Sequence, residues 1–183
     1  MIIKRSIFLQ LLLVAAFCLG SLPTAWALPA TETVKLLASD RTAGDRFGYS
    51  TAIGGDTVVI GAYGENNTGA AYVFAYSGGV WVEQAKLVPS DGIIGGSNFG
   101  WSVDLEGDTA VISAIWDSSN RGAAYVFVRS GGVWSEQAKL TASDGLSGDI
   151  FGASVSLDGD RVVVGDSSDD GNVGSYYVCE RSG

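Results

Sequence analysis

The sequence predicts an all-β fold built from repeated four-stranded antiparallel units. Phe-Gly pairs begin at Phe47, Phe99 and Phe151, which are 52 residues apart. Residues 72–87 and 125–140 are identical at 13 of 16 positions. Self-similarity at a period near 50 residues is typical of stacked or radially arranged supersecondary units. Beyond the N-terminal segment, no stretch has helical apolar spacing over three turns.

The central copy shows the four strands of one unit. The first strand is predicted over 100–105, and Glu106-Gly107 supplies a tight turn of the kind that glycine favours in hairpins. The continuous apolar run 109–114 predicts a second strand buried on both faces. After a variable polar loop, the third strand is predicted over 123–128 and the fourth over 133–140, with glycines in the turn between them.

One feature of the fourth strand breaks the alternation of apolar and polar residues. Glu136, like Glu83 in the preceding copy, lies on the same side as the apolar residues. A carboxylate on the apolar side of a strand indicates a β-bulge or an outer edge that is partly exposed to solvent.

The first 27 residues have the pattern of a signal peptide. Lys4 and Arg5 precede an apolar run over 7–19, and Ala25-Trp26-Ala27 forms a small-residue cleavage site. The run is shorter than the roughly 20 apolar residues that a membrane-spanning helix needs. We therefore predict cleavage after Ala27, a mature domain over 28–183, and a secreted, periplasmic or cell-surface location.

The charge of the chain excludes two classes of partner. Removing Lys4 and Arg5 lowers the basic count from 11 to nine and changes the net charge from −9 to −11. Nucleic acids and anionic membranes both require basic patches, so neither is expected as a partner. Cys179 is the one cysteine left after cleavage. It cannot form an internal disulfide, and it is predicted to be a small buried apolar residue.

The ends of the repeat pattern indicate a propeller-type array. Residues 31–39 match the fourth strand of the other units, and the last unit stops after its third strand. We predict blades at about 47–88, 99–141 and 151–183, with residues 31–39 as a closing outer strand. Propellers typically have four to eight blades. Truncation of a longer parent is therefore our first interpretation, with a ring closed by homo-oligomer assembly and an open array as alternatives.

Each unit also resembles a known repeat. The sequences FGYSTAIGGDTVVIGAY, FGWSVDLEGDTAVISAI and FGASVSLDGDRVVVGDS share a Phe-Gly pair, a serine two residues later, a Gly-Asp pair and an apolar strand. This pattern resembles the FG-GAP repeat of exported bacterial proteins and of the integrin alpha-subunit propeller. The resemblance implies a β-propeller fold and interaction with proteins or cell surfaces.

The chain departs from that family where calcium is often bound. Family repeats often carry an Asp-x-Asp-x-Asp-Gly loop between the first two strands, but here that connection is a tight turn without room for six to eight oxygen ligands. The alternative cluster of Asp166, Asp169 and Asp170 has irregular spacing, which favours a solvated loop. We expect no metal and no cofactor.

The residues for catalysis are scarce. The chain has no histidine, which removes the commonest general base. Most acidic residues lie at repeated positions, as structural residues do. The sequence therefore predicts a protein that is not an enzyme.

Loops that differ between copies are the candidate binding surface, because variation in repeat proteins collects on one face. The candidate ligand-binding residues are Tyr63, Asn66, Asn67, Trp116, Asp117, Asn120, Arg121, Asp169 and Asp170. We expect a protein or cell-surface glycan ligand and no chemistry. The alternative is a carbohydrate-binding module or the accessory propeller of a secreted hydrolase.

Overall fold

The structure, a computed structural model, describes residues 32–92 and 96–181. The predicted signal peptide at 1–27 lies outside the described residues. The unit of the chain that begins at Leu36 contains every strand of the described residues. Its strands are β1 (Ser50–Gly54), β2 (Thr57–Ala62), β3 (Ala70–Ser77), β4 (Val80–Leu87), β5 (Phe99–Glu106), β6 (Thr109–Ala114), β7 (Ala123–Ser130), β8 (Val133–Leu140), β9 (Phe151–Asp158), β10 (Arg161–Asp166) and β11 (Ser175–Glu180).

The strands form three antiparallel sheets, which confirms the predicted all-β, propeller-type fold. The first sheet has the order β1-β2-β3-β4 and the second the order β5-β6-β7-β8. The third sheet contains β9, β10 and β11, with β10 in the middle. Three short helical turns join the second and third strands of the sheets: a 3-10 helix (Glu65–Asn67), α1 (Asp117–Asn120) and α2 (Asp169–Asn172).

The hairpins between first and second strands lie one residue later than the sequence predicts. The two turn residues of the central hairpin are Gly107 and Asp108, not Glu106 and Gly107. Only the glycine has a positive φ, +55°. Glycine at the first central position is typical of a type II′ turn, in which the second residue needs no positive φ. The Asp108 carboxylate is thereby free to bind the Arg129 side chain at 2.6 Å.

The predicted bulge is present in both complete sheets. Val126 pairs with Ala138 whereas Phe127 pairs with Glu136, so the register shifts by one residue at Gln137. The first sheet has the same shift between its third and fourth strands. The extra residue shifts the alternation of side chains along the strand by one position. This shift explains why Glu136 lies at a position where simple alternation predicts an apolar residue.

Neighbouring sheets pack through opposite faces of the same strands. Val59 and Val73 face the second sheet and are buried against Ile112 and Tyr125. Val111 and Val126 in turn face the third sheet and are buried against Phe151 and Val164. Because side chains alternate across a strand, each sheet uses one face for the preceding sheet and the other for the next.

The first strands of the sheets lie side by side, with β5 packed against both β1 and β9. Side chains of β5 accept hydrogen bonds from the backbone of β9: Asp104 from Leu157 N–H at 2.7 Å, and Glu106 from Gly159 N–H at 2.5 Å. These bonds occupy strand edges that would otherwise be unpaired.

A glycine before the third strand permits a close approach between the first and second sheets and between the second and third. Gly122 has a φ of +85°, and a Cβ there would lie 2.0 Å from the Phe151 carbonyl oxygen. Gly69 has the same relation to Phe99. The phenylalanine of one repeat thus forms a parallel β-bridge with the glycine before the third strand of the preceding repeat, and its N–H donates to the carbonyl of the residue before that glycine.

The N-terminal segment differs from its prediction. Residues 32–39 contain no strand, so the predicted closing outer strand is not formed among the described residues. Leu36 and Ala38 instead pack on the face of the first sheet that carries Ile60, Tyr72 and Phe74. Leu140, which corresponds to Leu36 in the repeat, packs on the third sheet in the same way.

Candidate functional site

The connections between second and third strands lie together at one end of the sheets, here called the loop end. The first two of these connections are bonded to the segment that precedes the next Phe-Gly pair. Gly96 N–H donates to the Asn67 carbonyl, and Gly148 N–H donates to the Asn120 carbonyl at 2.8 Å. The loops that differ between copies therefore adjoin the segments that precede the Phe-Gly pairs, and the two form one surface.

An aromatic cluster joins the first and second sheets at the loop end. The ring centroid of Tyr49 lies 4.5 Å from that of Tyr63 and 4.8 Å from that of Trp101, and Tyr63 lies 5.2 Å from Trp101. Tyr49 is 49% exposed. Of the three, only Tyr63 was a sequence candidate. Tyr49 and Trp101 could have been found from the position directly after each Phe-Gly pair, because this position differs between the repeats: it holds tyrosine, tryptophan and alanine in turn.

Trp116 and Arg121 flank α1 at the same end. Trp116 is 40% exposed, and its backbone N–H donates to the Ser97 carbonyl at 3.0 Å. The backbone N–H of Arg121 donates to the Asp117 carbonyl, and its side chain is exposed. Both side chains thus remain accessible to a partner although their backbone is held in place.

Four of the candidate residues have a conformational role. Asn66, Asn67, Asn120 and Asp170 all have positive φ, between +45° and +64°. Asparagine and aspartate adopt this left-handed conformation more readily than other non-glycine residues do. The tight helical turns of the loops thereby account for these residue types, whether or not a ligand contacts them.

Asp117 lies inside the fold, which corrects its assignment to the loop surface. It is 2% exposed, and its carboxylate is bonded to the Tyr125 hydroxyl and lies 2.8 Å from Lys139 Nζ. Lys139 also contacts the Asp91 carboxylate at 2.6 Å, and the Tyr125 hydroxyl donates to Asp91 at 3.0 Å. These four residues form a closed cluster that ties β7 and β8 to the loop after β6.

The first sheet repeats this cluster and the third has only part of it. In the first sheet, Lys86 lies 2.6 Å from both Glu65 and Asp40, and Tyr72 donates to Asp40 at 2.7 Å. In the third sheet, the Tyr177 hydroxyl donates to Asp144 at 2.8 Å and lies 3.4 Å from the Asp169 carboxylate. Neither carboxylate forms an ion pair within residues 32–92 and 96–181.

The pKa values follow from these contacts. Hydrogen bonds from Lys86 and Tyr72 lower the pKa of Asp40. Burial opposes ionisation of Asp91, but bonds from Lys139 and Tyr125 outweigh it and lower that pKa too.

The phenol groups shift in the other direction. Burial, followed by bonding to Asp117, raises the pKa of Tyr125. A bond from Ser175 lowers the pKa of Tyr177, but Asp144 and burial together raise it to about 12. The shifts therefore keep the carboxylates charged and the phenols neutral, as a structural cluster requires.

A cavity of about 220 Å³ lies between the second and third sheets, away from the loop end. Its lining includes Val126, Leu157 and Cys179. Cys179 occupies the position that Phe74 and Phe127 hold in the other sheets, so a smaller side chain leaves the space. Burial raises the pKa of its thiol, which keeps the less reactive protonated form.

Two further features concern metals and membranes. The described part of the chain holds no cluster of three or more histidine, cysteine, aspartate or glutamate side chains placed to bind a metal ion. Within the same residues, no helix has the length and apolar character needed to cross a membrane.

Sequence comparison identifies the repeat. The family model described as FG-GAP repeat matches residues 30–74, 81–127 and 134–179. The chain belongs to the FG-GAP repeat family. No curated protein matches it.

Each FG-GAP match begins in a fourth-strand sequence and ends in the third strand of the following sheet. The second match begins within β4 and the third within β8. The first match begins at residue 30, so in the sequence residues 30–40 precede the first sheet in the same way that β4 precedes the second. The fourth strand is thus the part of the repeat that joins one sheet to the next.

Proposed function

We propose that this FG-GAP protein is an exported, non-catalytic binding module that contacts a protein on a cell surface through its loop end. The observation that carries the proposal is the aromatic cluster of Tyr49, Tyr63 and Trp101. Aromatic side chains supply large contact areas at low entropic cost and are common anchors in protein interfaces.

The surroundings of the cluster support a binding role. Tyr49 directly precedes β1, Tyr63 directly follows β2 and Trp101 lies within β5, so strands of two sheets position the cluster. Trp116 is a second exposed aromatic residue at the same end. Asn66 and Asn67 add exposed polar groups nearby. An apolar anchor with a polar border is the usual anatomy of a protein interface.

Two features of the sequence support export and the lack of catalysis. Residues 1–27 have the signal-peptide pattern, and the chain has no histidine. The carboxylates that lie close together, such as Asp91 and Asp117, share an ion pair with Lys139 and a hydrogen bond from the Tyr125 hydroxyl. In this cluster the pKa of Asp91 is lowered and the Asp117 side chain is buried, whereas a general acid needs a raised pKa and access to substrate.

The test is adhesion of the purified exported protein to intact cells and to immobilised surface proteins, with paired variants. Tyr49→Ala with Trp101→Ala removes the exposed ring of the cluster and the ring that the second sheet contributes. Tyr76→Ala is the matched control, because Tyr76 is also exposed and stacked, on Trp81 at 5.3 Å, near the opposite end. We expect binding to fall at least tenfold in the double variant and to be unchanged in the control. Equal binding by both variants would contradict the proposal.

A carbohydrate ligand is the second candidate, and Trp116 is the observation that favours it. An exposed indole beside the exposed Arg121 could stack on a sugar ring while the guanidinium binds hydroxyl groups. A glycan array separates the two candidates. Sugar binding that is lost in Trp116→Ala would favour a carbohydrate ligand, and the lack of any glycan signal would exclude it.

A further inference from the structure

The loop end carries arginines that have no acidic partner within the chain. Among residues 36–92 and 96–181, five cations form ion pairs: Lys86, Arg129, Lys139, Arg161 and Arg181. Arg41, Arg46 and Arg121 form none within the same residues. All three lie either in a segment that precedes a Phe-Gly pair or in a connection between second and third strands. The unpaired positive charge of this part of the chain is therefore gathered at the loop end.

Arg46 lies beside the aromatic cluster. The backbone N–H of Tyr49 donates to the Arg46 carbonyl at 3.1 Å. A Cβ built on Gly64 would lie 3.3 Å from Arg46 Cγ, so the arginine stem packs against the residue that follows Tyr63. Arg46 is itself exposed. A positive charge is thus placed next to two of the three rings of the cluster.

Arg121 lies in the connection after β6, directly after α1, and Trp116 directly precedes α1. The Phe151 N–H donates to the Arg121 carbonyl at 3.2 Å, which fixes this backbone between the second and third sheets. The second sheet packs against the first sheet on one face and the third on the other, and Arg121 is nevertheless exposed. Its exposure is therefore a property of the middle of the array and not of its margins.

The two arginines belong to one surface. Gly64 N–H donates to the carbonyl of Asp45, the neighbour of Arg46, at 3.1 Å. Asn67, in the same connection, accepts a bond from the segment before the second Phe-Gly pair, and that segment accepts one from the Trp116 N–H. Backbone hydrogen bonds thus link Arg46 to the connection after β6, which carries the other arginine.

The carboxylates of the first two sheets at this end are held within the fold. Asp45, Glu65 and Asp117 are 6%, 6% and 2% exposed. Asp45 is bonded within its own turn, and the other two are paired with lysines. Asp40 and Asp91 are more accessible, but the same lysines bind them. The charges that this surface offers to a ligand are therefore those of the arginines.

The negative charge of the protein is exposed elsewhere. The hairpin turns at the opposite end carry the exposed Asp56, Asp108 and Asp160, and the connection of the third sheet carries Asp169 and Asp170. A chain with a net charge of −9 thus gathers unpaired positive charge around its exposed aromatic residues. Because complementary charge selects the partner at an interface, this surface fits an acidic ligand.

We propose that the ligand of the loop end is an acidic segment of a partner protein, whose carboxylates bind Arg46 and Arg121 while its apolar side chains cover the aromatic cluster. The inference rests on the proposed function, since it names the chemistry of the partner at the same surface. Tyrosine, tryptophan and arginine dominate the energetics of protein interfaces, and all three occur here. Arginine binds a carboxylate through two parallel N–H bonds. A protein segment supplies carboxylates and apolar side chains together, which a uronic acid polymer does not.

The test is isothermal titration calorimetry of the exported protein with three probes. The first is a peptide of alternating glutamate and proline, the second has glutamine in place of glutamate, and the third is a polygalacturonate oligomer of the same charge as the first. Proline keeps the peptides extended and offers an apolar face to aromatic rings. We expect the glutamate peptide to bind and the other two probes to bind at least about tenfold more weakly, because one lacks carboxylates and the other lacks apolar side chains.

Arginine variants locate the binding site. Arg46→Gln and Arg121→Gln should each weaken binding of the glutamate peptide about tenfold, because each removes charge-assisted hydrogen bonds. Arg161→Gln is the matched control, since it removes the same charge from an exposed arginine beside a hairpin turn, and its affinity should be unchanged. The three arginines are exposed, so circular dichroism of each variant should match that of the unsubstituted protein.

The inference would be overturned if the glutamate peptide did not bind, or if polygalacturonate bound more tightly. It would also be overturned if neither loop-end variant lowered the affinity, or if the control lowered it equally. The adhesion assay separates this inference from the proposed function. Adhesion that needs Tyr49 and Trp101 but not the arginines would exclude the acidic partner and leave the binding role in place. Arginine-dependent peptide binding by a protein that adheres to no cell or surface protein would contradict the proposed function alone.

Discussion

The Glu136 carboxylate accepts two hydrogen bonds from Ser90, one from its backbone N–H at 2.8 Å and one from its hydroxyl at 2.9 Å. Glu83 and Ser39 repeat this pair at 2.8 and 2.9 Å. The glutamate on the bulged fourth strand thus binds the segment that enters the same repeat, which fixes that segment across the sheet.

We expect Glu136→Gln to lower the free energy of unfolding by about 1 kcal/mol, because a hydrogen bond to a charged acceptor is exchanged for a neutral one. Urea unfolding provides the measurement, with Ser90→Ala and the double variant completing a mutant cycle. Additive effects of the two substitutions would show that the pair is not coupled.

Lys139 should matter far more than an exposed cation does. Lys139→Met leaves the buried Asp117 carboxylate without its cation, and we expect a loss of about 3 kcal/mol in unfolding free energy. Arg161→Met is the control, since the Arg161–Glu180 pair has both side chains more than 60% exposed. Its loss should be below about 1 kcal/mol. Equal losses would show that Asp117 is not held by Lys139.

Stability should fall on both sides of neutral pH. The pKa values of Asp40 and Asp91 are lower in the folded chain than in the unfolded chain. Their contribution is therefore present above about pH 4, the unfolded pKa, and is lost as the pH falls below it.

At high pH the sign reverses. The pKa values of Tyr72, Tyr125 and Lys139 are raised by folding. Above about pH 10 the unfolded chain releases protons that the folded chain retains, so stability declines as the pH rises. These side chains titrate between about pH 3 and about pH 11. Chemical unfolding at intervals across this range measures the loss of unfolding free energy at both low and high pH. A profile that stays flat above about pH 10 would contradict the contacts of these tyrosines.

Gly122 should tolerate no side chain. Gly122→Ala would place a Cβ 2.0 Å from the Phe151 carbonyl oxygen, and we expect a loss of more than about 3 kcal/mol. Gly107→Ala shares the positive φ but meets open space, so its loss should be only about 1 kcal/mol. Thermal unfolding compares the two. Similar losses would mean that the sheets separate easily at this contact.

Calcium should leave the fold unchanged. The connections between first and second strands are two-residue turns, and we expect the same melting temperature in millimolar calcium and in chelator. A rise of several degrees with calcium would show a site that the tight turns do not explain.

The repeats made most of the fold predictable. The strand over 109–114 and the bulge near Glu136 followed from apolar runs and from one misplaced carboxylate. The position of Asp117 did not, because its burial depends on Lys139 and Tyr125, which approach it only after the sheet forms. The pairing of Tyr49 with Trp101 likewise joins residues of two sheets, and it leaves only a weak trace in the sequence, a variable position after Phe-Gly.

The fourth strand is the element that joins one repeat to the next, and amide hydrogen exchange of β7 tests this role most directly. In the exported protein, the β7 amides that bond β8 should be protected as strongly as those that bond β6, because β8 is held both by its pairing in the sheet and by the bonds from Ser90 to Glu136. Rapid exchange of the amides between β7 and β8 would contradict this role of the fourth strand.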